Sequence, residues 1–298
     1  SFARDAILDS LYIRNGGLKL SDTNNEIPGT IRFNTSNNFL NNYNTEDDSL
    51  SKSNKQIVVN DFVGINLDKI DNLALKGMEP HTITVKDPSR FNAKSKQESD
   101  NKLSDNPQLD FVRKIANSVI ESSVDIQNAL AKSTASDVIY PKTELAKNLE
   151  WISKLIKGNL NSKVYYTSLG GFDTHDNQLA IHKNKLSDLN DAVYSFYQDL
   201  KKNQQLQNVT IVVFSEFGRR VKDNGRGTDH GTAAPMFIIG GNNRGKVIGK
   251  NPNLSDLNNG DLKHEVDFRS VYASLLQSKL NFDASKIGIK NKAITGLF

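Results

Sequence analysis

The sequence predicts an α/β fold on a mostly parallel sheet, and three observations carry that prediction. Helix-like and strand-like segments alternate through the C-terminal two-thirds, the order that right-handed βαβ crossovers require. Val209-Thr210-Ile211-Val212-Val213-Phe214 is almost wholly apolar, as expected of a strand covered on both faces. Three polar clusters stand beside apolar runs, and in open α/β sheets the chemistry gathers at the carboxyl ends of the strands.

The elements follow in order. Phe2, Ile7, Leu8 and Leu11 have helical spacing and predict a short helix over 1–12. Residues 21–55 are rich in Asn, Ser, Thr and Asp and read as long surface loops. Ile57-Val58-Val59 and Thr82-Ile83-Thr84-Val85 read as short strands, and residues 89–106 as a second polar loop. Phe111, Ile115, Val119, Val124, Ile126 and Leu130 predict a helix over about 107–131. Leu145, Leu149, Ile152, Leu155 and Ile156 mark the next, stopped at Gly158. Thr143 is followed three residues later by Ala146, so no capping box opens it. A strand at 163–169 follows, then a long helix with Leu179, Leu186, Leu189, Val193, Phe196 and Leu200 on one stripe. The strand at 209–214 comes next. Pro235-Met236-Phe237-Ile238-Ile239-Gly240 is a further apolar run, and a last helix spans about 266–280. The whole is expected to be one domain over 1–298, with 21–55 and 89–106 as polar insertions.

Composition narrows the function classes. The formal net charge is +4 and no long basic run exists, so nucleic acid is not an expected partner. The absence of cysteine removes disulfides, thiolate metal sites and a Cys nucleophile. No apolar run approaches the roughly 18–20 residues of a transmembrane helix.

The clusters are where chemistry is expected. Gly170-Gly171-Phe172-Asp173-Thr174-His175 follows the strand at 163–169, and its glycines permit a tight turn. Asp173 and His175 are ligand types for Zn²⁺, Mn²⁺ or Mg²⁺; the plain alternative makes Asp173 or Thr174 a helix cap. In Ser215-Glu216-Phe217-Gly218-Arg219-Arg220, Glu216 ends an apolar strand, where a carboxylate needs a partner. That partner is a metal, or else Arg219 or Arg220 in an ion pair. Arg219 could otherwise hold an oxyanion. In Gly227-Thr228-Asp229-His230-Gly231, Asp229 could be an Asx-turn residue, whereas His230 suits binding or proton transfer. His182 lies on an apolar stripe and reads as a packed histidine. Gly240 to Lys246 has the spacing of a phosphate-binding loop, but Val247 stands where Ser or Thr is required.

On these segments the chain resembles the DUF1501 family, a branch of the alkaline phosphatase/sulfatase-like superfamily. The resemblance rests on the three clusters with Gln178 and Asn224, and on Asp267-Phe268-Arg269 with Val271-Tyr272. It implies a three-layer α/β/α architecture, alkaline phosphatase-like, with a mostly parallel central sheet. It also implies a divalent metal, Zn or Mn with Mg or Ca left open, held by Asp173, His175, Glu216 and His230. Asp229 and Arg219 would be the catalytic residues, Asp229 as ligand or orienter and Arg219 on the oxyanion. Phe217 stands where the superfamily places a second histidine, which puts the second metal in question. The family's usual Gly-Gly-Asn-Asp-Gly-like segment has only a faint echo in Arg14-Asn15-Gly16-Gly17-Leu18. The expectation is a domain lacking its N-terminal part, whose share of the site is either absent or supplied by a protein partner or separate N-terminal segment.

The leading expectation is an exported, metal-dependent hydrolase of phosphate or sulfate esters, with a small anionic ester or glycan as substrate. The rival is a catalytically silent exported subunit that binds protein partners or glycans. A third possibility is purely structural, with caps and ion pairs at every cluster.

Overall fold

The computed structural model describes residues 64–69, 82–91 and 106–298 apart from 242 and 244. The expected helix over 1–12, the loops over 21–55 and the strand at Ile57–Val59 lie outside the described residues. So does most of the expected loop at 89–106.

The elements are β1 (Gly64–Asn66), β2 (Thr82–Thr84), α1 (Pro107–Lys132), α2 (Glu144–Lys157), β3 (Val164–Tyr166) and α3 (Gln178–Lys202). Then come β4 (Thr210–Val213), β5 (Gly218–Asp223), β6 (Thr228–Gly231), β7 (Phe237–Gly240), β8 (Leu257–Asn258), β9 (Asp261–Leu262) and α4 (Phe268–Lys279). Local chemistry sets the helix starts. Asn106 accepts from the amides of Gln108 and Leu109, with Pro107 already preset for the first turn. Thr143 accepts from the Ala146 amide at 3.3 Å, so it caps α2 without the reciprocal half of a capping box. Asp267 caps α4 through the Arg269 amide. At the end of α2, a Cβ on Gly158 would lie 1.9 Å from the Ala129 carbonyl oxygen, so only glycine lets α2 finish against α1.

The parallel sheet has the order β2-β1-β3, with Gly64 opposite both Thr82 and Val164. Here the structure corrects the expectation of one mostly parallel sheet. Among the described residues, the strand at 210–213 does not join it. It pairs antiparallel with β7, Thr210 opposite Gly240 and Val213 opposite Phe237. The chain between them turns back through the β5–β6 hairpin, which returns β7 in the opposite direction. β4 is half-buried along its length rather than sealed on both faces. The described residues form a mixed α/β fold with a small parallel sheet and separate antiparallel pairs. β1, which the sequence reading passed over, is the central strand, and Ile65 and Leu67 are wholly buried.

Ile65, Leu67 and Val85 pack with Ile126 of α1, Leu149, Ile152 and Leu155 of α2, and Phe196 and Leu200 of α3. Each such side chain contributes about 1.5–3 kcal/mol when fully buried. A second, smaller core gathers Tyr272, Ala273 and Leu276 of α4 with Ala284, Ile287 and Ile289. Between α2 and α3 lies a buried ion pair, Lys157 Nζ to Asp199 Oδ1 at 3.2 Å, with side chains 2% and 1% exposed. Asp199 also accepts from Ser153 at 2.6 Å, Tyr140 at 2.9 Å and Asn203 at 3.0 Å. Burial alone would raise its carboxyl. The bonds from Ser153, Ser136 and Tyr140 and the Lys157 charge outweigh burial and hold it below the usual carboxylate range.

Candidate metal centre

The site has two halves. The first is the loop that leaves β3. Asn148 fixes its start by donating to Thr167 Oγ1 and to the Leu67 carbonyl, both at 3.0 Å. Ser168 donates to Asp68 at 2.5 Å, so the ends of β1 and β3 stay together. Gly171 then takes φ +95°, a backbone that a side chain would strain. The Thr174 amide donates to the Phe172 carbonyl at 2.9 Å. This is a γ-turn with Asp173 at its apex. Thr174 is buried, while Asp173 and His175 on either side of it are exposed.

The second half is the β5–β6 hairpin. Its tip is shaped by Asn224, whose Oδ1 accepts from the amides of Arg226 at 3.0 Å and Gly227 at 2.8 Å. Gln178, at the start of α3, ties the hairpin down by accepting from the Thr228 amide at 2.7 Å and its hydroxyl at 3.0 Å. The register sets Arg219 opposite His230 and Gly218 opposite Gly231.

The halves meet at Asp173. Its Oδ1 lies 2.7 Å from His230 Nε2 and 3.4 Å from His175 Nδ1. One ligand atom each from Asp173, His175 and His230 lies within 4.8 Å of the others. Around a tetrahedral zinc, with bonds of about 2.0–2.2 Å, donors stand roughly 3.3–3.6 Å apart. A cation therefore requires the widest pair to close by about 1.5 Å at most, between two exposed side chains and the half-buried His230. The His230 ring is held on both sides, stacked on Phe217 at 3.8 Å and on His175 at 5.0 Å between centroids. The hydrogen bond from His230 holds the Asp173 carboxyl below its ordinary value against the cost of desolvation, with the His230, His175 and Arg219 charges assisting. The donor set, one carboxylate and two imidazoles, fits Zn²⁺ or Mn²⁺.

The other expected residues stand apart from these three. Glu216 is half-buried in the link between β4 and β5 and is not a member of the set. Asp229 precedes His230 on β6, and successive strand residues face opposite ways; it is exposed and 3.4 Å from Asn224 Nδ2. Arg219 turns its terminal nitrogens to the protein's own oxygens: Thr228 O at 2.5 Å, Phe172 O at 2.5 Å and Thr174 Oγ1 at 3.2 Å. An oxyanion would have to displace those acceptors. His182 packs as expected, edge-on to Phe172, yet it also carries polar contacts, 2.9 Å from Thr174 Oγ1 and 3.2 Å from Phe172 O. Asp267 and Arg269 form a two-pronged pair at the start of α4. The Arg269 bond draws the Asp267 carboxyl down to about 2.

Sequence reasoning missed the hairpin itself. Asn224-Gly225 between two short extended runs is its signal. It also missed Phe217 as the plate beneath His230.

Residues 161–285 match the family model described as Protein of unknown function (DUF1501). That stretch begins just before β3, ends beyond α4, and contains both halves of the cluster. The DUF1501 resemblance is supported over it. No curated protein and no solved structure matches the chain.

Proposed function

We propose that Asp173, His175 and His230 form a divalent-cation site, and that the protein is an exported hydrolase of phosphate or sulfate esters. The convergence of one carboxylate and two imidazoles from segments 57 residues apart is the observation that carries this reading. A bound Zn²⁺ or Mn²⁺ would polarise an ester oxygen and lower the pKa of a bound water. Asp173, already held ionised, supplies the negative charge that retains a cation. To hold a cation, His230 would give up its bond to Asp173, with the Phe217 ring still stacked on its plane. Asp173 and His175 are exposed and His230 half-buried, so a substrate oxygen could reach an ion held there. Glu216 is not among the residues whose ligand atoms gather, so three protein ligands are assigned. The three-layer, alkaline phosphatase-like architecture belongs to the same proposal, as does export. No helix among the described residues is long and apolar enough to cross a membrane.

Phe217 favours a second reading. Its ring, stacked on His230, occupies the sequence position where the resemblance implies a further metal-binding histidine, and this suits a silent subunit that binds a protein or glycan. Elemental mass spectrometry after loading with Zn²⁺ or Mn²⁺ separates the readings when combined with turnover of aryl phosphate and aryl sulfate. One ion per chain, lost in His230→Ala, with metal-dependent turnover is the expected result. Metal without turnover supports the silent subunit. No retained metal in a folded protein refutes the cation site.

A further inference from the structure

We infer that Arg219 and His182 are positioning residues that hold Asp173 and His175 opposite His230; this rests on the cation site proposed above. The argument begins with the two oxygens that flank Asp173. The Phe172 carbonyl and the Thr174 hydroxyl are each met by the same two side chains. Arg219 Nη2 reaches them at 2.5 and 3.2 Å, and His182 Nε2 at 3.2 and 2.9 Å. Arg219 comes from β5 and His182 from α3, so two independent elements converge on one turn.

The other end of the guanidinium completes the arrangement. Arg219 Nη1 donates to the Thr228 carbonyl, two residues before His230 on β6. One rigid, planar group thus spans both halves of the cluster, bonding the turn that carries Asp173 and the strand that carries His230. Arg219 is also the register partner of His230. Its Nε is buried without a hydrogen-bond partner among the described residues, so its placement follows the terminal nitrogens. Its guanidinium carbon lies 5.1 Å from the centre of the Phe217 ring, the same ring that backs His230. A lysine would offer one nitrogen and could not bridge both halves.

The test uses Co²⁺, which reports ligand geometry through its visible absorption. Wild type, Arg219→Lys, Arg219→Met and Thr174→Val are titrated with Co²⁺, and amide hydrogen exchange is followed over 172–175. Loss of groups that orient metal ligands typically weakens affinity by about 10–100-fold. Both Arg219 variants are expected to fall in that range, with an altered absorption band and faster exchange over 172–175. Lys does not rescue. Wild-type affinity, band and exchange in both variants overturn the inference. If the Arg219 variants do not fold, Thr174→Val decides. It removes the hydroxyl that both side chains meet and leaves the bond to Thr228. Unchanged Co²⁺ binding and exchange in Thr174→Val then overturn it. If wild type takes up no Co²⁺, the cation site itself fails. The positioning role then stands or falls on exchange alone, and unchanged exchange over 172–175 rejects it.

Discussion

Replacing Lys157 by Met is expected to destabilise the fold by about 3 kcal/mol, the lower end of the range for breaking a buried ion pair. The structure fixes that position within the range. Both side chains are almost fully buried, so water cannot replace the ammonium. Asp199 would still keep its bonds from Ser153, Tyr140 and Asn203, which stabilise the carboxylate left behind. Asp199→Ala should cost more, about 5 kcal/mol, because it strands the Lys157 charge and leaves Ser153 and Tyr140 without their acceptor. The double variant Lys157→Met with Asp199→Leu should recover part of the loss, since two apolar groups replace two charges. Urea unfolding followed by the fluorescence of Trp151, the single tryptophan, reads all three, because it lies on α2 beside Ser153. Midpoints are comparable only where the slope m is unchanged. A loss below about 1 kcal/mol in Lys157→Met, or a larger loss there than in Asp199→Ala, would refute the reasoning.

Three further outcomes are expected. Asp267 has a folded pKa of about 2, below the unfolded carboxylate value of about 3.9, so its contribution is complete above about pH 4 and is lost as pH falls toward 2; Arg269→Ala should flatten the acid limb of stability measured across that window. A Cβ on Gly218 would sit 1.8 Å from the Ala233 carbonyl oxygen, so Gly218→Ala should cost about 2 kcal/mol or more by forcing the backbone apart, read as a lower urea midpoint. Asn224→Ala removes the acceptor for two tip amides and should cost about 1 kcal/mol, with faster amide exchange at Arg226 and Gly227.

Much of the helical framework was legible because its determinants are local. The apolar stripe of α3 and the stop at Gly158 put helix ends within a residue or two of the observed ones. β1 was not legible, because Gly64 and Asn66 are poor strand formers and only Ile65 speaks for a strand. The partner of β4 was misjudged for a different reason. An apolar run announces burial but not direction, and direction was decided by a hairpin placed between β4 and β7. At the site, Asp173, His175 and His230 were readable as ligand types beside apolar runs. Their convergence was not, since it depends on the turn at Phe172–Thr174 and on the register of Arg219 with His230. Arg219 was legible as a cation for an oxyanion or an ion pair, whereas its contacts to the Phe172 and Thr228 carbonyls and the Thr174 hydroxyl leave no trace in a sequence. Asp199 did leave one. It sits three residues after Phe196 and next to Leu200, on the apolar stripe, where a charge requires a buried partner.

Helix α3 carries two responsibilities on one rod. Near its beginning His182 grips the turn that bears Asp173, and near its end Asp199 is pinned to Lys157 in the buried seam between α2 and α3. Seventeen residues separate them, about 25 Å of continuous α-helix. Such a helix is a strut. It transfers the fixity of a dry interior to a wet, exposed rim, so a mutation at Ser153 or Lys157 that let the far end settle differently would be felt as misalignment at Asp173, with no change in any residue near it.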